Sequence, residues 1–112
     1  MCFMMSKEDL FLIYKGLKTI TMRKVTDRHK EGRVYQVKLN LFDDYSFKIR
    51  ILSREVVDLN EMDDDDFVGV GYSKEEYLTH SYNTKNNSTE RIKYVFEVVE
   101  VNDDRLKEIG II

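Results

Sequence analysis

The sequence predicts an α+β fold, a small mixed β-barrel with short helices covering its openings, and three observations carry that prediction. Apolar–polar alternation fills the middle of the chain in two runs separated by a short acidic turn. A later run is apolar on both sides, as in a strand central to its sheet. Helical periodicity is confined to short stretches, giving the order α-β-ββ-α-β along 112 residues. That length fits one compact domain, residues 1–112.

Each element follows from local pattern. Ser6 is placed to cap a helix whose apolar face carries Leu10, Ile13, Tyr14 and Leu17 at i, i+3, i+4 and i+7. Gly16 falls where a helix-ending glycine belongs, with Leu17 after it as the hydrophobic partner of the cap. A strand then starts at once. Ile20 and Met22 alternate with Thr19, Thr21 and Arg23, so hydroxyls and a fixed positive charge share one side. Residues 25–32 are charged and irregular, the mark of a loop. Tyr35, Val37, Leu39 and Leu41 alternate with polar residues, and after Asp43-Asp44 so do Tyr45, Phe47, Ile49 and Ile51. Together they predict an antiparallel hairpin whose second strand runs on to Val57.

Four aspartates at 63–66 suit a solvated helix start or turn, and they lack the spaced ligands and glycine of an EF-hand loop. Ser73 and Glu76 fit a capping box ahead of Tyr77 and Leu78. Residues 83–89 read as a polar loop, 92–101 as the central strand and 103–109 as a short terminal helix.

Composition bounds the function. With 42% hydrophobic and 35% charged residues the chain is globular rather than disordered. The lone Cys2, at a terminus expected to fray, permits no internal disulfide, which points to a reducing, cytoplasmic setting. No apolar run approaches the ~20 residues of a membrane span, so no membrane partner is expected. His29 and His80 lack partners at metal-ligand spacing, and no glycine-rich phosphate loop occurs, so neither a metal nor a cofactor is expected. The net charge of -3 conceals a division: residues 15–38 carry +6 and residues 55–76 carry -8. The basic stretch suits a local anion-binding face, or the two charged surfaces simply attract each other across the fold. The acidic stretch also suits a basic protein partner.

Gly16-Leu17-Lys18-Thr19-Ile20-Thr21-Met22-Arg23 resembles the G-x-K-T-x-T-x-R signature of the ASCH domain, a branch of the PUA-like superfamily. Three further features agree in order: the hairpin at 32–51, the acidic stretch ending in Gly71-Tyr72-Ser73, and the closing strand Val95-Phe96-Glu97-Val98-Val99. The resemblance covers about residues 8–101. It implies a PUA-like pseudo-barrel of five or six strands with flanking short helices, and a cleft that binds RNA or a modified nucleoside. Lys18, Thr21 and Arg23 would line that cleft, and Gly16 would let the backbone turn into it. Thr19 belongs to the same strand face, and Tyr72 is the best placed of the tyrosines (Tyr35, Tyr45, Tyr77, Tyr82 and Tyr94 are the others weighed) to stack on a base. The oligomeric state is left open.

A bacterial branch of the family hydrolyses N4-acetylcytidine, and the resemblance implies the same roles here: Thr21 as nucleophile and Lys18 as base. A threonine hydroxyl needs such a base at neutral pH, and lysine serves when burial or a cationic neighbour lowers its pKa towards ~7–8. Arg23, two positions along the strand, supplies that neighbour or holds a phosphate. The branch also uses a glutamate just before the Gly-aromatic step, where this chain has Val70. Glu75 and Glu76 lie beyond the turn, and Asp65 and Asp66 reach the cleft only if their loop folds back. Binding survives the loss of that acid more readily than catalysis does.

Overall fold

The computed structural model describes residues 2–79 and 88–112. The loop expected at 83–89 falls mostly outside them, and His80 and Tyr82 wholly so. Five strands form one mixed sheet: β1 (Cys2–Met4), β2 (Ile20–Arg23), β3 (Val34–Lys38), β4 (Phe47–Asp58) and β5 (Glu90–Val101), ordered β1-β3-β4-β5-β2. Among the described residues three helices accompany it, α1 (Lys7–Tyr14), α2 (Lys74–Thr79) and α3 (Asp103–Glu108), with 3-10 turns at Leu59–Glu61 and Asp64–Phe67. The α+β class and the hairpin β3–β4 agree with the sequence, as does a central last strand, which pairs with β4 on one side and β2 on the other.

β1 is the element that periodicity missed. The terminus does not fray: Cys2, Phe3 and Met4 pair in parallel with Gln36, Val37 and Lys38. Phe3 and Met5 are buried, and burying large apolar side chains holds a strand too short to show a period.

Helix α1 starts as predicted, with Ser6 Oγ accepting the Asp9 N–H at 3.2 Å. Its apolar face is narrower than expected. Leu10 and Ile13 are buried, whereas Tyr14 and Leu17 are exposed, Leu17 at 59%. The helix ends at Tyr14, and the Leu17 N–H folds back to Leu12 O at 2.9 Å, so no further turn carries Leu17 onto the face. β3 likewise stops at Lys38, whose carbonyl accepts from Met5 N–H. Leu39 packs on the core outside any strand, Leu41 is exposed, and Tyr45 precedes β4.

Two apolar clusters hold the fold together. The larger gathers Phe3, Leu10, Val37, Phe47, Ile49, Ile51, Tyr94, Phe96 and Leu106 between the sheet, α1 and α3. The smaller packs Ile20 and Met22 of β2 on Leu59, Met62, Phe67 and Val70. Between the clusters, β1 and β2 are the two ends of the strand order. Arg23 spans them: its Nη2 donates to Met4 O at 3.2 Å, and its guanidinium lies 5.1 Å from the Phe3 ring centre. His29 stacks on Phe3 at 3.6 Å and pairs through Nδ1 with Asp27, which also accepts the Tyr94 hydroxyl at 2.6 Å. His29 is thus a core residue, and Tyr35 and Tyr94 belong to its aromatic cluster.

Candidate functional site

Alternation along β2 sets the site. Ile20 and Met22 face the smaller cluster, so Thr21 and Arg23 turn the other way, towards the gap between β2 and β1. Alternation does not extend back to residue 19, because the chain there is bent rather than extended. The Leu17 and Lys18 N–H groups both donate to Leu12 O, and those of Thr19 and Ile20 both donate to Gly69 O. That bend sends Lys18 inward and lays Thr19 against Gly69.

Gly69 and Gly71 make the close approach possible, at φ +92 and +95. A Cβ on Gly69 would sit 2.7 Å from Thr19 Oγ1, and one on Gly71 would sit 2.8 Å from Leu12 Cδ1. A side chain at either position would be strained by the backbone and would have to displace Thr19 or Leu12. Between them, Val70 buries its side chain in the smaller cluster and offers its carbonyl to Lys18 Nζ at 2.7 Å. The position where an acid was expected thus supplies a backbone oxygen.

The result is a cavity of about 720 Å³ lined by Lys18, Thr21, Arg23 and Tyr72 together with Met4, Asp9, Glu76 and Tyr77. Gly16 and Thr19 do not line it: Gly16 closes α1, and Thr19 lies over Gly69. Lys18 and Thr21, 5% and 4% exposed, form the floor. Asp9 and Tyr72 are half-buried in the wall, and Glu8 and Glu76 are exposed at the rim. Of the other tyrosines, Tyr77 packs on Phe67 at 5.5 Å, and Tyr45 lies beside Lys48.

Asp9 is the residue that sequence reasoning missed. Its Oδ1 accepts the Tyr72 hydroxyl at 2.9 Å, a contact across 63 residues. In the sequence it is only an acid in the first turn of a helix, and nothing local marks it for a cavity. Glu76 does double duty: its carboxylate caps the Ser73 N–H at 3.0 Å while lining the rim. Asp66 does not fold back, since its carboxylate accepts from Asp63 N–H at 2.9 Å. Asp65 lies outside the lining as well.

The electrostatics follow from depth. Burial pulls the Lys18 pKa down to about 8, Asp9 opposes it and Arg23 adds to it. Burial, then the Asp9 carboxylate, pushes the Tyr72 phenol up, so Tyr72 stays neutral and donates. Arg23 Nε donates to Thr21 Oγ1 at 3.2 Å, leaving the hydroxyl proton for another acceptor. One small space thus holds an ammonium that gives up its proton more readily than usual, a hydroxyl, a carboxylate and an aromatic face. Among the described residues no cluster of three or more His, Cys, Asp or Glu is arranged to hold a metal ion. No described helix is long and apolar enough to cross a membrane.

No family model and no curated protein matches the sequence. Solved structures do match in shape. A protein of Enterococcus faecalis V583 from the family DUF984 superposes with a TM-score of 0.73 at 15% identity, covering 95% of this chain and 80% of its own. The ASCH protein of Zymomonas mobilis gives 0.67 at 14%, covering 96% and 76%. The ASCH domain of Lactobacillus crispatus JV V101 gives 0.66 at 16%, covering 81% and 70%. The chain has the fold of these ASCH domains.

Proposed function

We propose that the cavity receives one nucleoside, either a base of an RNA or a free modified nucleoside. The observation that carries this reading is the mixed lining of a single sheltered space: Lys18 and Thr21 at the floor, Asp9 and the Tyr72 ring at the wall. Its volume of about 720 Å³ lies in the usual range for small-molecule sites, ~300–1,000 Å³. Donors, an acceptor and an aromatic face together suit a base and ribose. Arg23, already engaged with Thr21 and Met4, acts as a brace more than as a phosphate clamp. The resemblance to RNA-binding ASCH domains points the same way.

Titrating labelled protein with cytidine, with N4-acetylcytidine and with a short single-stranded RNA tests the proposal. Saturable NMR shifts at Thr21, Arg23 and Tyr72 are expected, and Lys18→Met should abolish them. If all three ligands leave those signals in place, the reading fails.

A second reading, amide hydrolysis, is favoured by the burial of Lys18 and Thr21 together at the floor of one cavity, where burial also lowers the Lys18 pKa to about 8. A neutral Lys18 amine keeps its donation to Val70 O and still has a lone pair to take the Thr21 proton. The Thr21 oxygen then attacks the amide carbon, the C–N bond breaks as the amine leaves with a proton, and water hydrolyses the ester. Chromatography of N4-acetylcytidine incubations decides it. Release of cytidine above a Thr21→Ala control supports hydrolysis, and equal traces exclude it.

A further inference from the structure

Lys18, Thr21, Arg23 and Tyr72 are the sequence-marked residues that reach the cavity, yet the half-buried carboxylate beside them has no role in that picture. Asp9 reaches the cavity from the first turn of α1, whose start is held by the Ser6 cap on the Asp9 N–H. One carboxylate oxygen, Oδ1, takes the Tyr72 hydroxyl at 2.9 Å. That single bond aims the group, because Tyr72 is itself fixed beside Gly71, packed on Leu12. An ionised carboxylate has about four acceptor sites on two oxygens, so an anchored Asp9 keeps acceptor capacity for whatever occupies the cavity.

We infer that Asp9 is the specificity-determining residue of the cavity, accepting an N–H donor of the ligand. This rests on the nucleoside reading above and narrows it to bases that present an exocyclic amino or amide N–H. The chemistry follows from what surrounds the floor. Glu8 and Asp9 face it from α1, Arg23 from β2, Tyr72 from the segment leading into α2, and Glu76 and Tyr77 from α2 itself. Three carboxylates stand against two cations, and both cations already hydrogen-bond the protein: Lys18 to Val70 O, Arg23 to Thr21 and Met4 O. A ligand that brings N–H donors meets a matched acceptor. One lacking them covers the carboxylate and leaves its remaining acceptor sites, beyond the Tyr72 bond, unmet, the costly case. The carboxylate is also the group that raises the Lys18 pKa against burial, so charge and selectivity are set by the same residue.

The test uses Asp9→Asn, which preserves shape and can still accept from Tyr72, and two readouts. In the ligand-free protein, NMR follows the Lys18 Nζ titration. The midpoint should fall in Asp9→Asn, and an unchanged midpoint overturns the inference whatever the ligand. Binding is then compared for cytidine and for the riboside of pyrimidin-2-one, which lacks the exocyclic amino group. Wild type should prefer cytidine by about tenfold or more, the range for a hydrogen bond to a charged group, and Asp9→Asn should erase the preference. Equal affinity of the two ligands for wild type overturns the inference while leaving the nucleoside reading intact. Absence of binding by either ligand sinks that reading instead, and the Lys18 titration alone then decides the role of Asp9.

Discussion

Lys18 and Val70, 52 residues apart in sequence, meet at the floor of the cavity, where Nζ donates to the Val70 carbonyl at 2.7 Å. The bond does not repay the burial of the ammonium, which is why the Lys18 pKa sits near 8 rather than 10.5. A shift of that size corresponds to roughly 3 kcal/mol of destabilisation while the lysine is charged, against about 1 kcal/mol for the hydrogen bond. Lys18→Met should therefore be more stable than wild type at pH 6, by roughly 2 kcal/mol. Between pH 8 and 10.5 the unfolded chain still holds the proton that the folded chain has shed, so wild type gains stability as pH rises. The advantage of Lys18→Met should shrink across that window in urea denaturation. A difference that is constant with pH would contradict the assignment.

Gly69 is the hinge of the site. Its carbonyl takes two N–H groups from the chain entering β2, its φ of +92 strains any side chain, and a Cβ there would meet Thr19 Oγ1 at 2.7 Å. Gly69→Ala should lower stability by about 1–3 kcal/mol through backbone strain and displacement of Thr19. The urea midpoint measures this. An alanine variant as stable as wild type would mean that the segment at 67–72 rearranges without cost.

Arg23→Met should loosen β1 selectively. The guanidinium bridges Met4 O and Thr21 Oγ1 and covers Phe3, and methionine keeps only the apolar part. Hydrogen exchange at the Met5 amide, which donates to Lys38 O, should accelerate, while the β4 and β5 amides keep their protection. Uniform acceleration across the sheet would show a global rather than a local role.

What could be read from the sequence divides along a physical line. Caps and alternation are local, and the Ser6 and Ser73 caps, the hairpin and the central strand are all as the pattern indicates. β1 was hidden because three residues show no period, and Asp9 because its partner lies 63 residues away. Thr19 lies off the cavity side because alternation does not pass through the bend there, whose cause, the two hydrogen bonds from Thr19 and Ile20 N–H to Gly69 O, is tertiary. Lys18, Thr21, Arg23 and Tyr72 share one cavity. The motif carries the first three and the Gly71-Tyr72-Ser73 step the fourth, while the chemistry around them comes from contacts no window of sequence contains.

Asp27→Asn tests the buried cluster behind Arg23. Burial pushes the Asp27 carboxyl up, but the Tyr94 hydroxyl, the His29 ring and the His29 N–H together pull it further down, leaving it below the usual 3.8. A carboxyl whose folded pKa is depressed contributes stability that is present above the unfolded value and lost as pH falls through the folded one. At pH 7 Asp27→Asn should cost about 1–3 kcal/mol, because asparagine replaces charged hydrogen bonds with weaker ones. Below pH 3.8 wild type should lose that margin and approach the variant, which has no carboxyl to protonate. Urea curves at pH 7 and in acid read both limbs. Parallel lines, with the same gap at each pH, would show that Asp27 titrates in the folded protein as it does in the unfolded chain, and that Tyr94 and His29 do not hold its charge.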